Sequence, residues 1–150
     1  MLTPDVHEIP GLSEAKVGWR AWWVVSGRLT SIDAGDIWTP RRAMVAKCRY
    51  GCLTSPGEGC GCGLGAIKEL DDLLRLGYPR AGGEVCAIGQ VALWGRVVEG
   101  MQGWRASRAY PVRVLLPYGV PALARDIRDA YACKVGFKNF HIGDTDEASD

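Results

Sequence analysis

Between residues 16 and 25 apolar side chains run almost without relief. Trp19, Ala21, Trp23 and Val25 fall on one side of a two-residue repeat, and Arg20, Trp22 and Val24 on the other. That pattern predicts a strand packed on both faces. Ser26-Gly27 provides a tight connection into a second strand at 28–32, Asp33 to Asp36 reads as a loop, and 42–48 is a further strand candidate. Over 64–76, Ala66, Ile67, Leu70, Leu73 and Leu74 line one helical face, with Gly77 and Pro79 marking the end. A long β-pattern follows at 84–99, where Gly89 and Gly95 predict bulges or bends. The glycines at 100 and 103 turn the chain back into strands at 104–110 and 112–116. Pro121 opens a second helix striped with Leu123, Ala124, Ile127, Ala130 and Tyr131, which Gly136 is expected to end, and 137–142 is a candidate last strand.

Hairpins separated by helices predict an α+β fold, with a curved, mostly antiparallel sheet that partly closes as a barrel and carries two helices. The expected organisation is one domain over residues 16–143, a loosely attached acidic arm at 1–15 and an acidic disordered tail at 144–150. With 150 residues and 47% hydrophobic content, the chain suits one continuous core. The sequence has neither a secretory leader pattern nor an apolar run long enough to span a bilayer, so a cytoplasmic protein without membrane association is expected.

Six cysteines in a reducing compartment favour metal ligation or free thiols over disulfides. Four of them, Cys48, Cys52, Cys60 and Cys62, fall within 15 residues of one another, in a loop with glycine at 57, 59, 61, 63 and 65. Four thiolates around one ion are the usual ligand set of a closed structural zinc site, and glycines let the backbone wrap tightly around it. The intervals are not those of a standard C-x2-C pair. Ordinary reduced thiols, a redox pair and an iron–sulfur site therefore stay open beside structural Zn²⁺. A phosphate cradle lacks the Lys-Ser/Thr that should follow the glycines. A nucleophilic cysteine needs a base, and the two histidines, His7 and His141, lie in the terminal segments. Asp33 and Asp36 form a close acidic pair that caps the loop, binds a metal or acts as acid and base, with capping the plain reading.

Six tryptophans accompany 13 arginines and five lysines. Most of the indoles are expected in the core. Trp38 and Trp104 are the candidates for stacking an unpaired base, because Arg41 and Arg42 flank the first and Arg105 and Arg108 the second. Lys47 and Arg49 add positive charge beside the cysteine loop. These eight residues are the candidate nucleic-acid contacts, with a solvated charged face as the plain alternative. The formal charge of +1 understates the basicity of the domain. Seven acids (Asp5, Glu8, Glu14, Asp144, Asp146, Glu147 and Asp150) lie in two end segments that hold no base, and setting them aside leaves 18 bases against ten acids, a formal +8. Such a domain fits a polyanionic partner.

The run Gly18-Trp19-Arg20-Ala21-Trp22, the Trp38 region, Cys48 with Cys60-x-Cys62-Gly63, Gly89-x-Val91-x-Leu93-Trp94-Gly95, Gly103-Trp104-Arg105-Ala106 and Ala109-Tyr110-Pro111 resembles a group of small actinobacterial and actinophage proteins. The resemblance spans residues 18–111. It implies a histidine near position 52 in the group, so Cys52 reads as a thiolate in place of an imidazole ligand, and it implies no activity. The order of elements is similar to that of the PUA-like group of base and RNA readers. Three functions follow as expectations. The first is a non-enzymatic, zinc-stabilised module that binds single-stranded or flipped-base nucleic acid. The others are a phage or host protein-interaction factor and a small hydrolase or transferase using a cysteine or the Asp33/Asp36 pair.

Overall fold

The computed structural model describes residues 5–11, 14–57 and 59–140. Eight strands and two helices follow one another as β1 (Asp5–Ile9), β2 (Lys16–Val25), β3 (Arg28–Ser31), β4 (Met44–Val45), β5 (Leu64–Ile67), α1 (Leu70–Arg75), β6 (Val85–Glu99), β7 (Gly103–Leu116), α2 (Pro121–Tyr131) and β8 (Lys134–Phe137). This is the expected α+β class with a curved sheet, antiparallel throughout except where β8 runs parallel to β7.

The sheet is built on the β6–β7 hairpin. β6 also pairs with β1 and β2, and β7 with β4, β5 and β8. Since β5 meets β2 only at Trp19 opposite Ile67, strands β6, β2, β5 and β7 make a partial ring and not a closed barrel. Gly89 matters here. A Cβ at this position would collide with the Arg113 carbonyl, so only glycine lets the two long strands approach where they bend.

β2 has a core on each side, as its two-faced pattern predicts. Trp22 and Val24 join Leu29, Trp38, Leu93, Val97, Ile127 and Tyr131 in a cluster that takes in the buried face of α2. Trp19 and Ala21 join Leu70, Leu73, Leu74, Ile88 and Leu115 in another under α1. Tyr131 ties the first cluster together. Its hydroxyl accepts the Leu29 N–H at 2.8 Å and donates to the Trp38 carbonyl at 2.6 Å.

Several elements differ from the sequence expectation. The helix predicted over 64–76 begins only at Leu70, and its first turn is instead β5. The apolar positions at 64–67 satisfy a two-residue repeat as well as a helical one, and pairing with the open edge of β7 decides between them. Residues 104–110 and 112–116 form one strand. Pro111, which has no N–H to give, sits opposite Val91 where the β6–β7 register shifts, so the strand continues past it. The strand expected at 42–48 is reduced to Met44–Val45. Ala132, at φ 56°, ends α2 in place of Gly136, which lies within β8. Within the segment expected to be a loose arm, Asp5–Ile9 pairs with β6. The predicted tail at 144–150 and His141 lie outside the described residues. Among the described residues no helix is long and apolar enough to cross a membrane.

Replacing Tyr131 with Phe keeps the packing but leaves the buried Leu29 N–H without an acceptor. Urea denaturation of Tyr131→Phe is expected to show a loss of about 2 kcal/mol with an unchanged slope.

Candidate metal centre and adjoining basic cavity

Cys48 follows β4, Cys52 lies in the bend beyond it, and Cys60 and Cys62 come just before β5. The chain doubles back between these points, and all four Sγ atoms lie within 4.8 Å of one another. Cys48 and Cys60 are 3.7 Å apart. Four sulfurs at about 2.3 Å from a central ion stand about 3.8 Å from each other in a tetrahedron, so the Cys48–Cys60 distance matches that of two ligands on one ion. All four cysteines are free of disulfides. The cluster is close enough to hold a metal ion, and no histidine or carboxylate among the described residues joins it.

The loop is shaped around the sulfurs. A Cβ on Gly57 would overlap Cys52 Sγ, and the Gly57 N–H donates to Cys62 Sγ at 3.1 Å while the Tyr50 N–H donates to Cys48 Sγ at 3.3 Å. Such donors favour thiolate over thiol. Backbone N–H groups of Cys52 and Tyr50 hold the Cys48 thiol below its ordinary range, and the Ser55 hydroxyl, followed by the Gly57 N–H, does the same for Cys62. Cys52 is pushed up, chiefly by its interaction with Cys48 and then by burial. Thiolates packed this tightly repel one another unless a cation lies among them. Two arginines fasten the loop to the long hairpin: Arg105 Nη1 donates to the carbonyls of Cys60 at 2.6 Å and Cys62 at 2.8 Å, and Arg96 Nε donates to that of Pro56 at 2.9 Å.

Beside the cysteine loop, between β2, β5, the start of β7 and the segment around β4, lies a cavity of about 990 Å³. Five basic residues line it (Arg20, Arg42, Lys47, Arg49 and Arg105), against the acids Asp33 and Asp36. Of the eight residues expected to contact nucleic acid, Arg42, Lys47, Arg49, Trp104 and Arg105 are thus brought together around one concavity. The other three are not in its lining. Trp38 is 1% exposed, donates Nε1–H to Ser31 Oγ at 2.9 Å and meets Trp22 edge-on at 5.6 Å. It is therefore a core residue and not a stacking platform, because the chain after β3 turns back along β3 and sets the indole against Trp22. Arg41 is committed locally: its N–H donates to the Tyr110 hydroxyl and its Nη2 to the Asp129 carbonyl at 2.9 Å. Arg108 is exposed on β7, opposite Val45 and Trp94.

Arg20 was not among the expected site residues. Its guanidinium lies 4.9 Å from the Trp38 ring centre, with Nη1 donating to the Gly65 carbonyl at 2.8 Å and Nη2 to Ser31 Oγ at 3.2 Å. Burial pulls its pKa down to about 10, partly offset by Tyr78 and Asp33, so it stays charged at neutral pH. The available signal in the sequence was a lone cation inside the apolar run of β2. Asp33 and Asp36 are exposed on the cavity wall, Asp33 lying 3.7 Å from Arg80, with no geometry that marks them as an acid–base pair.

The two remaining thiols give a control for the cluster. Burial raises the Cys86 thiol and pushes Cys133 up to about 11. With chelator present, a colorimetric thiol reagent is expected to react first at Cys48 and Cys62, whose thiols are lowered, and slowly at Cys86 and Cys133. Six thiols reacting at one rate in the folded protein would contradict the convergence. In comparisons with known proteins, no family model, no curated protein and no solved structure matches this chain.

Proposed function

We propose that the protein is a zinc-stabilised module that binds single-stranded or flipped-base nucleic acid in the basic cavity. One observation carries this reading: the cavity and the four-thiol loop share a wall, with Arg105 bound to the carbonyls of Cys60 and Cys62 on one side and lining the cavity on the other. Four thiolates around Zn²⁺ leave a formal charge of about −2, and Arg96 and Arg105 lie alongside to offset it. Zinc suits this place because it is redox-inert and tetrahedral and a four-cysteine shell leaves no open position for chemistry. A thiolate-held ion also suits a reducing, cytoplasmic setting. In that arrangement the metal braces one wall of the cavity and takes no part in a reaction.

Arg42, Lys47 and Arg49 are exposed at the cavity and free to follow a phosphate backbone. The aromatic rings of Trp104 and Tyr78 in its lining give an unpaired base a surface to meet. Metal analysis is expected to return one zinc per chain with no visible absorbance, whereas a coloured protein containing iron would overturn the zinc assignment. Binding of a single-stranded oligonucleotide should weaken with salt, at a slope near −2 in log affinity against log salt for three neutralised phosphates. Reversing two of those charges in an Arg42→Glu, Lys47→Glu variant should flatten the slope to about −0.7 or closer to zero. Salt-insensitive binding, or binding to no strand at all, would overturn the nucleic-acid reading.

A further inference from the structure

A guanidinium has five N–H donors, and Arg20 uses two of them, on the Gly65 carbonyl and Ser31 Oγ. Its Nε is buried with no hydrogen-bond partner. Among the described residues no carboxylate forms an ion pair with it, and Asp33 acts on it only from further away. A desolvated charge left this incompletely matched is costly; because Nε is shut off from solvent, the donors left to an incoming acceptor are the second N–H groups of Nη1 and Nη2. Arg20 is also part of the cavity wall, and it is held in place: Trp38 supports its plane and two hydrogen bonds fix its ends. A cation positioned this way suits geometric recognition better than general attraction.

The rest of the lining narrows the ligand. The cations suited to phosphates are the exposed ones, Arg42, Lys47 and Arg49, whereas Arg20 is the partly buried one in a lining that also holds Ile32, Ile67, Tyr78 and Trp104. Apolar and aromatic surface beside a fixed cation suits a flat heterocycle better than a hydrated dianion. The volume of about 990 Å³ is at the upper end of the about 300–1,000 Å³ usual for small-molecule pockets. Asp33 and Asp36 add acceptors to the same wall. Carboxylates repel phosphate but accept hydrogen bonds from imino and amino groups. Guanine matches this set on both counts, since it offers O6 and N7 as acceptors to an arginine fork and N1–H and N2–H as donors to a carboxylate.

We propose that the cavity reads a guanine base, with Arg20 donating to O6 and N7 and the Asp33/Asp36 wall accepting from N1–H and N2–H. The proposal rests on the nucleic-acid reading above and adds base identity to it. Arg20 supplies the specificity, and the exposed cations at 42, 47 and 49 supply affinity independent of sequence.

The test uses the metal-loaded full chain and fluorescently labelled ten-nucleotide single strands of thymine holding one central guanine, adenine, 7-deazaguanine or hypoxanthine. Anisotropy titrations are expected to show the guanine strand binding about tenfold more tightly than the adenine strand. Loss of N7 in 7-deazaguanine, or of the amino group in hypoxanthine, should each remove much of that preference. Arg20→Lys should abolish the preference while keeping the salt dependence. The modified bases test the same contacts without altering the protein, so the proposal stays open to refutation if that variant fails to fold. Equal, salt-dependent affinity for all four strands would overturn the guanine proposal and leave the nucleic-acid reading standing. Failure to bind any of the four would remove both.

Discussion

The pairing of β6 with β7 is the constraint on which the rest of the molecule depends. The two strands hold 15 and 14 residues, too long to run flat, and the register shifts twice, between Gln90 and Val91 and between Trp94 and Val97. Each shift adds bend and twist, and at Gly89 the missing side chain lets the strands close up. All the other strands except β3, which pairs with β2, hang on this curved ribbon. The curvature carries β2 and β7 round towards each other, but short β5 bridges them with only a single residue pair on the β2 side. The space left by that incomplete closure is the cavity.

This geometry makes the cysteine loop more than an ornament. Cys60 and Cys62 lead straight into β5, whose Gly65 carbonyl holds Arg20 and whose strand pairs with Arg105 and Trp104. A metal ion gathering the four thiols would fix the start of β5 and, through it, the ring and the cavity wall. Arg105 belongs to both, and so it couples the loop's carbonyls to the cavity surface. The charges follow the same logic. Arg96 and Arg105 face the thiol-rich side, and Arg42, Lys47 and Arg49 face solvent at the cavity. Arg20 is the exception, a cation desolvated by its surroundings that makes no ion pair with a carboxylate among the described residues and feels Asp33 only from further away.

The features legible from residues alone were those governed by neighbours in the chain. The two-faced run of β2, the Ser26-Gly27 hairpin and the end of α1 at Gly77 each follow from a few adjacent residues. The clustering of Cys48, Cys52, Cys60 and Cys62 in one glycine-rich stretch was likewise visible, since glycines let so short a chain turn back on itself. The basic domain hidden within a near-neutral chain was also readable, and it places five of the eight anticipated contacts at one cavity.

What local pattern left open was settled by partners distant in sequence. Residues 64–67 carry apolar positions compatible with either period, and the free edge of β7, some 40 residues away, makes them a strand. Trp38 beside two arginines looked like a ligand platform, yet Trp22, Ser31 and Tyr131 enclose it. Arg20 looked like one polar break in a strand, and it became a fixed wall cation only once Gly65, Ser31 and Trp38 closed around it. Periodicity and spacing determined most of the elements and the cluster of four cysteines because those depend on short-range geometry. Burial, pairing edge and unmatched charge depend on which surfaces meet, and only the tertiary structure decided that.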